Sequence, residues 1–493
     1  MKLLFRLKQE WVIVSAIFLV GISILALSVP FPVFWIDESM AVNFTYQAND
    51  VMISDLLVSG AHPPLYYFIV KTIRIVFGDT EAVLRLVSAL FFIFGGLFVY
   101  LLARDIGGKK TGYISLVLWF SNYFLIFYAK QVRPYSLMAF LSVASSYFLY
   151  KLLQGFKWKY ALWYIIFGLM GLYTNYWFVL VFLSQVVILL ITDRKNWKVL
   201  WAMFAQGLLF LPWGLIYILK FNNYESGEFI GPANLSMLRE SLSYFATGQW
   251  LIVSLAILVG ISGAFLFRNV EALKAKILGC LFIVPIVSAF LISQFIPIYT
   301  PGRREIVALP FFIILVAYII SRIDDRRWQA SVSILLVLFT FQNVFDRGAM
   351  TKEWKDNDKE IIQNAVNASG KNDYYILYGL SNANFIYYTR RMNLGYDPKI
   401  IYFPEGMSQR PDSLGPIQAL EKDGVKLNYE LENLLDKIKS VKAGKIFLFT
   451  HDDAISPNVV DLLDSNLKKM DEIIPRDPHM GSWIGKITIY EGI

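Results

Sequence analysis

Apolar residues run along this chain in blocks of roughly 15–22, such as Trp11–Val29, Leu84–Ala103 and Glu305–Ile320. As helices, blocks of that length cross a hydrocarbon core of about 30 Å. The pattern predicts spans at about 11–30, 83–103, 111–128, 134–150, 160–174, 176–192, 199–219, 249–267, 275–295, 305–320 and 328–344, or about eleven helices. After Phe345 the period changes. Short apolar runs at Tyr374–Tyr378, Ile400–Phe403, Lys445–Thr450 and Ile487–Tyr490 read as strands, and Trp354–Asn367, Tyr429–Val441 and Pro457–Leu467 read as helices. The expected organisation is a polytopic α-helical membrane domain over 1–348 and a soluble α/β domain over 349–493.

Charge orients the spans. Six short segments each carry three basic residues: Lys2/Arg6/Lys8, Arg104/Lys109/Lys110, Lys151/Lys157/Lys159, Arg194/Lys195/Lys198, Arg268/Lys274/Lys276 and Arg322/Arg326/Arg327. The positive-inside rule puts all six in the cytoplasm, with the N-terminus inside and the C-terminal domain outside. That alternation holds only if His62–Gly78 does not cross, so it is expected to lie on the outer surface as a helix opened by Pro63 and Pro64. The first outer loop then runs from about 31 to 82, and residues 31–62 contain no Lys or Arg.

Composition agrees. The chain is 56% hydrophobic and 17% charged, against about 25% charged in ordinary soluble domains. The net charge of +8 follows the topology and calls for no nucleic-acid partner. The single cysteine, Cys280, cannot form an intramolecular disulfide. The first apolar segment follows basic residues as a signal peptide would, but its length favours an uncleaved anchor. The absence of an internal repeat counts against an inverted-repeat transporter.

The chemistry collects on the outer side. Asp37 and Glu38 follow the first span, where pulling a carboxylate to mid-membrane costs about 2.5–3.5 kcal/mol. The same face receives His62, Arg85, Lys130, Gln131, Arg133, Tyr135, the tight Tyr173-Thr174-Asn175-Tyr176 hairpin, and Tyr299, Arg303 and Arg304. Each has a plain reading: arginines snorkel, a lone histidine sits in a loop, and acidic residues cap helices. The double arginine, on the side that normally excludes positive charge, is harder to dismiss and suits a phosphate at headgroup depth. Carboxylates beside a cationic phosphate site suit group transfer from a lipid phosphate. One carboxylate would deprotonate an acceptor hydroxyl while arginines neutralise the leaving phosphate. No Walker A or dinucleotide fingerprint occurs in a suitable context.

The ordered series Asp37-Glu38, His62-Pro63-Pro64-Leu65-Tyr66-Tyr67, Phe77-Gly78-Asp79 with Glu81 and Arg85-Leu86, then Gln131-Val132-Arg133-Pro134-Tyr135, resembles the GT-C glycosyltransferases. The closer likeness is to the bacterial branch related to protein O-mannosyltransferases and the aminoarabinose transferase of lipid A (glycosyltransferase family 39/83-like). It covers residues 30–180 well and 295–320 loosely. The resemblance implies a GT-C fold in the plasma membrane, a polyprenyl-phosphate sugar as donor, and transfer with inversion at the non-cytoplasmic face to a glycan, lipid or protein acceptor. By that likeness Asp37 is the general base and Glu38 positions donor or acceptor. His62, Arg85, Arg133, Arg303 and Arg304 would meet the donor phosphate, and Gln131, Tyr135, Asn175, Tyr176 and Tyr299 the substrate. Some relatives bind a divalent ion, for which Asp37, Glu38 and His62 are candidate ligands. Relatives commonly carry histidine where this chain has Asn175, which cannot take a proton or a charge.

Three other readings compete. A lipid-diphosphate-dependent polysaccharide ligase or polymerase belongs to the same broad class. A lipid or glycan transporter or flippase would need ionisable residues deep within its spans, where this chain has almost none. A sensor leaves the Asp37 loop without a role. In the C-terminal domain, His451-Asp452-Asp453 after a predicted strand reads as a solvated turn rather than a site, and three Asn-x-Ser/Thr sequons (Asn43, Asn234, Asn367) are a pattern common by chance.

Overall fold

A computed structural model describes residues 2–27, 33–58, 62–192, 196–221, 232–247, 272–295, 299–325, 327–336, 338, 358–378, 381–392, 394–405, 420, 423–450, 456–474, 484 and 486–492. The span expected at 249–267, the end of that at 328–344, and His451-Asp452-Asp453 lie outside the described residues. The first helices are α1 (Lys2–Leu27), α2 (Ile36–Tyr46), α3 (Asn49–Val58), α4 (Leu65–Phe77), α5 (Glu81–Gly107) and α6 (Lys109–Ser121). Then come α7 (Tyr123–Ala129), α8 (Tyr135–Gln154), α9 (Trp158–Leu172), α10 (Val179–Thr192), α11 (Trp197–Phe221), α12 (Leu235–Phe245), α13 (Ala272–Ile292) and α14 (Leu309–Ser321). The C-terminal residues form α15 (Asp358–Ala368), β1 (Tyr374–Tyr378), α16 (Ser381–Met392), β2 (Lys399–Phe403), α17 (Gly424–Ser440), β3 (Lys445–Thr450), α18 (Ser456–Asn466), β4 (Lys469–Ile473) and β5 (Lys486–Glu491).

The chain divides into two units. The first comprises Met1–Pro30, His62–Ile218 and Ile230–Ala349; the second comprises Phe31–Ala61, Leu219–Phe229 and Met350–Ile493.

The first unit is the membrane domain. Among the described residues four helices are long and apolar enough to cross, or five if α6 and α7 form one bent span, and three further apolar helices are shorter. The bend between α6 and α7 is 59° and has a local cause. Asn122 caps α7 by accepting from the Leu125 N–H at 3.1 Å and donates to the Phe245 carbonyl at 3.2 Å. An asparagine so engaged replaces the helical ladder at that point. Helix α4 has 13 residues, about 20 Å of rise, too short to cross.

Four of the six basic segments meet at one end of this bundle. Glu10, 3% exposed, accepts from the Tyr100 hydroxyl at 2.6 Å, from Arg104 at 3.3 Å and from Lys109 at 2.5 Å. Lys151 pairs with Asp105, the Thr111 hydroxyl bonds Ser321 at 2.8 Å, and Lys110 reaches Gln329 at 3.5 Å. Deeper in the bundle, Gln185 accepts from Tyr164 at 2.9 Å and donates to Ser145 and Ser146 at 3.0 and 3.1 Å. Such satisfied amide and hydroxyl contacts hold helices together in lipid without a buried charge.

The second unit is built on a five-stranded sheet of order β2-β1-β3-β5-β4. β1 lies parallel to β2 and β3, and β5 runs antiparallel to β3 and β4. One face buries Ile376, Tyr378, Ile446 and Leu448 under Leu434 and Ile438 of α17 and Val459 and Leu463 of α18. On the other, Phe385 of α16 packs against Tyr375 and Phe449 at ring distances of 4.8 and 5.1 Å. Helix α2 covers α16 in turn. Ile36 and Met40 pack on Ala383, the Phe34 N–H donates to the Tyr388 hydroxyl at 2.8 Å, and Asn43 donates to the Ala383 carbonyl at 2.9 Å. Residues 33–58 thus fold with the C-terminal residues.

Candidate active site

The site in the first unit starts from the turn between α9 and α10. Thr174 bonds back to the Met170 carbonyl at 2.7 Å, and Asn175 caps the following 3-10 turn by accepting from the Trp177 N–H at 3.0 Å. That bond fixes the amide. With Oδ1 committed to a backbone donor, Nδ2 is the atom that faces His62 Nδ1 at 3.1 Å. An amide N–H can only donate, so His62 Nδ1 accepts and its proton resides on Nε2. Burial, then the nearby charges of Arg133 and Arg304, hold the His62 imidazole well below the usual histidine value. At neutral pH it is an uncharged N–H donor. The start of α4 is tied to the same hairpin, with the Leu65 N–H on the Tyr173 carbonyl at 3.0 Å.

Arg133 comes from the short link between α7 and α8. Its carbonyl accepts from Ser88 at 3.2 Å, and the Arg133 N–H closes on the Gln131 carbonyl at 2.8 Å. Its guanidinium lies 5.7 Å from the centre of the Tyr135 ring and hydrogen-bonds the Tyr135 hydroxyl. Arg303 and Arg304 also act electrostatically on that hydroxyl, Arg303 hydrogen-bonds Tyr128, and Arg304 sits 5.4 Å from the Trp177 ring centre.

The two arginines ride on a turn with its own anchor. Gly302 has φ +71, and a Cβ there would stand 2.7 Å from Phe124 Cζ, so both backbone and space require glycine. The Gly302 N–H donates to Ser241 Oγ at 3.0 Å, and Ser241 donates to Glu305 Oε1 at 3.0 Å. A serine hydroxyl has one proton, so the Tyr299 hydroxyl, 2.9 Å away, donates to it. Tyr299 is therefore committed to holding the turn.

Three arginines, an uncharged histidine, Tyr135 and Asn175 thus come together in one unit. Arg85, 8% exposed, is linked instead to Lys130, whose ammonium burial and then Arg85 push down to about 8. Gln131 is 3% exposed, and its Oε1 has no partner among the described residues. Tyr176 stacks on Tyr217 at 4.0 Å and accepts from Trp213 at 3.2 Å, a packing arrangement. Ser241, Glu305, Trp177 and Tyr128 were absent from the sequence-based set. Of these only Glu305 left a sequence signal, as a third consecutive charge after Arg303-Arg304.

Asp37 and Glu38 belong to the second unit, in the first turn of α2. Glu38 is 2% exposed, and its Oε2 accepts from the Trp35 N–H at 3.0 Å, the reciprocal half of a capping box. Asp37 is half-buried beside it. Among the described residues no group of three or more His, Cys, Asp or Glu could hold a metal ion. Two sequons have structural work: Asn43 holds α16, and Asn234 caps α12 through the Met237 N–H at 3.0 Å.

Residues 61–216 match the family model described as dolichyl-phosphate-mannose-protein mannosyltransferase. Sequence comparison with curated proteins gives no match. By structure the chain is similar to ArnT from Cupriavidus metallidurans in the apo state, with TM-score 0.63 and 12% identity over 99% of this chain and 98% of that one. The chain has the GT-C glycosyltransferase fold. ArnT from the same organism bound to undecaprenyl phosphate is also similar, with TM-score 0.63 and 10% identity over 97% of this chain and 98% of that one. The GT-C fold puts the sequence series read above onto defined elements: His62 before α4, Arg85 on α5, the Gln131–Tyr135 segment between α7 and α8, and Asn175 between α9 and α10.

Proposed function

We propose that this membrane protein is a glycosyltransferase that moves a sugar from a polyprenyl-phosphate carrier to an acceptor hydroxyl at the extracytoplasmic face of the plasma membrane. The observation that carries the reading is the meeting of Arg133, Arg303 and Arg304 around Tyr135 and an uncharged His62. Three guanidiniums gathered around one phenol and one histidine suit a bound anion, and bidentate guanidinium donors suit phosphate. ArnT from C. metallidurans binds undecaprenyl phosphate, which fits that anion.

In the proposed reaction Asp37 takes the acceptor hydroxyl proton while the oxygen attacks the anomeric carbon. The bond from that carbon to the phosphate oxygen breaks with inversion, and the lipid phosphate leaves with the bond's electron pair. Arg133, Arg303 and Arg304 compensate the charge that develops on it. The His62 Nε2–H supplies a further donor.

Full-length protein with an undecaprenyl-phosphate sugar tests this. Asp37→Asn is expected to remain folded and inserted but to lose transfer, and near-normal turnover would remove Asp37 as the base. Replacing Arg303 and Arg304 together by alanine removes charged hydrogen bonds worth about 1.5–3 kcal/mol each and is expected to raise the donor KM at least tenfold. A defect confined to acceptor KM would contradict the phosphate role. The Arg85–Lys130 pair favours a second reading, in which the donor is a diphosphate. An isolated monophosphate donor should then be inert.

A further inference from the structure

The second unit contains a cavity of about 750 Å3 that the phosphate chemistry does not use. It lies between α2, α3, α16 and β2, and its lining includes Asn43, Gln47, Asp55, Arg390, Asp397 and Tyr402. The volume falls in the range of roughly 300–1,000 Å3 typical of organic-ligand clefts. We propose that this cavity is a carbohydrate-binding site for a neutral sugar and, resting on the glycosyltransferase reading, the place that holds the glycan part of the acceptor.

The lining argues for sugar in four ways. Its polar groups are planar amides, carboxylates and a guanidinium, which supply paired donors and acceptors to hydroxyls that both give and accept hydrogen bonds. They are ordered by one another. Gln47 Nε2 donates to Asp55 Oδ2 at 2.7 Å, and Asn43 is oriented by its bond to the Ala383 carbonyl, which turns Oδ1 toward Arg390 at 3.4 Å. The Arg390 guanidinium also lies 4.1 Å from the Tyr46 ring centre, so the fork is held before any ligand arrives.

Charge excludes the obvious competitor. The lining carries two carboxylates, Asp55 and Asp397, and one guanidinium, Arg390, which leaves it formally one negative charge in excess and disfavours phosphate or carboxylate ligands. The apolar lining includes a half-buried strip of β2, Ile400 and Tyr402, which alternate onto the same side of the sheet. It offers an aliphatic and an aromatic surface to the C–H face of a pyranose. Burial holds the Tyr402 phenol above its ordinary value against the opposing pull of Arg390, so it remains an O–H donor at neutral pH.

Saturation-transfer NMR on the full chain in nanodiscs tests the site. The probes are the methyl glycosides of mannose, galactose and N-acetylglucosamine, with inorganic phosphate and the tetrapeptide Ala-Ser-Thr-Ala as comparisons. At least one glycoside is expected to show saturation that falls severalfold in Arg390→Ala/Asp397→Ala, two exposed positions whose truncation leaves the core intact. The signal is expected to persist in Arg303→Ala/Arg304→Ala and in Asp37→Asn. The proposal is overturned if no glycoside is saturated, if the signal is indifferent to the Arg390/Asp397 change, or if only the peptide or phosphate is bound there. Glycoside binding without sugar transfer would defeat the glycosyltransferase reading alone, and transfer without binding here would defeat this site alone.

Discussion

Asn175→Asp is nearly isosteric, yet it should invert the protonation of His62. In the wild type, Asn175 Oδ1 accepts from Trp177 N–H and Nδ2 donates to His62 Nδ1. An aspartate keeps the first bond and turns a carboxylate oxygen toward the histidine lone pair at about the same distance. The repulsion is relieved if Nδ1 takes a proton. A hydrogen bond to a charged group contributes about 1.5–3 kcal/mol, or about one to two units of pKa, which opposes the downward push from burial, Arg133 and Arg304. The assay is 15N imidazole NMR in detergent, assigned with variants of the only other histidines, His451 and His479. The wild type should show the neutral Nε2–H tautomer from about pH 8 down past the ordinary histidine value near 6.5. The aspartate variant should show Nδ1 protonated and a pKa raised by at least one unit. Stability follows the same sign. The unfolded chain protonates this histidine near 6.5 and the folded one at lower pH, so wild-type stability declines as pH falls below about 6.5. A wild-type His62 that titrates near 6.5, that carries its proton on Nδ1, or that ignores Asn175→Asp refutes the assignment.

Lys130 titrates at about 8 in the fold and near 10.4 unfolded. Its charge therefore opposes folding by on the order of 3 kcal/mol below pH 8, and the penalty fades as pH rises to about 10.5. Thermal unfolding should find Lys130→Met more stable than wild type at pH 7 and equal to it near pH 10.5; a gap independent of pH would defeat this account. Gly302→Ala forces φ +71 on a residue with a Cβ, at about 1–2 kcal/mol, and drives that Cβ to 2.7 Å from Phe124. Displacing the turn should raise the donor KM about tenfold with acceptor KM unchanged, and an unaltered donor KM would mean that the turn does not place the arginines. Glu38→Gln keeps an acceptor for the Trp35 N–H and should cost less than Glu38→Ala, which should lower stability by at least about 1 kcal/mol; thermal unfolding of both variants decides it, and equal losses would refute the cap.

Much of the fold is legible in the chain because lipid permits few solutions: long apolar blocks become helices, and basic residues mark one end. The contacts of Glu10, Lys109, Lys151 and Gln329 bring four of the basic segments, or residues next to them, to one end of the bundle. Strands β1 and β3 are legible for a related reason, since both are buried along almost their whole length. What escapes is amphipathic or locally capped. β4 reads Lys-Met-Asp-Glu-Ile and lies at the sheet edge, so nothing in its pattern separates it from a loop. Helix α16 begins Ser-Asn-Ala-Asn, a polar start that conceals a helix buried between sheet and α2. The arginines were legible as exceptions to the positive-inside bias. Ser241 was not, because a serine that meets Gly302, Glu305 and Tyr299 looks in sequence like any other.

The two carboxylates at residues 37 and 38 are alike in sequence and differ in use because a helix starts one residue before them. At the third helical position, Glu38 has the reach to return to the backbone N–H of Trp35, and it is buried there. Asp37, one residue earlier and one methylene shorter, does not close that ring. A capping box needs only the glutamate, so the cap accounts for Glu38 and not for Asp37. The same reasoning applies to Asn175. Its amide is spent on Trp177 and His62, which makes the imidazole, rather than position 175, the group with a proton to present to the proposed phosphate site. A histidine at 175 would compete with His62 for that role; asparagine instead fixes which nitrogen of His62 donates. Asparagine at 175 thus leaves the proposed site's fixed positive charges at Arg133, Arg303 and Arg304.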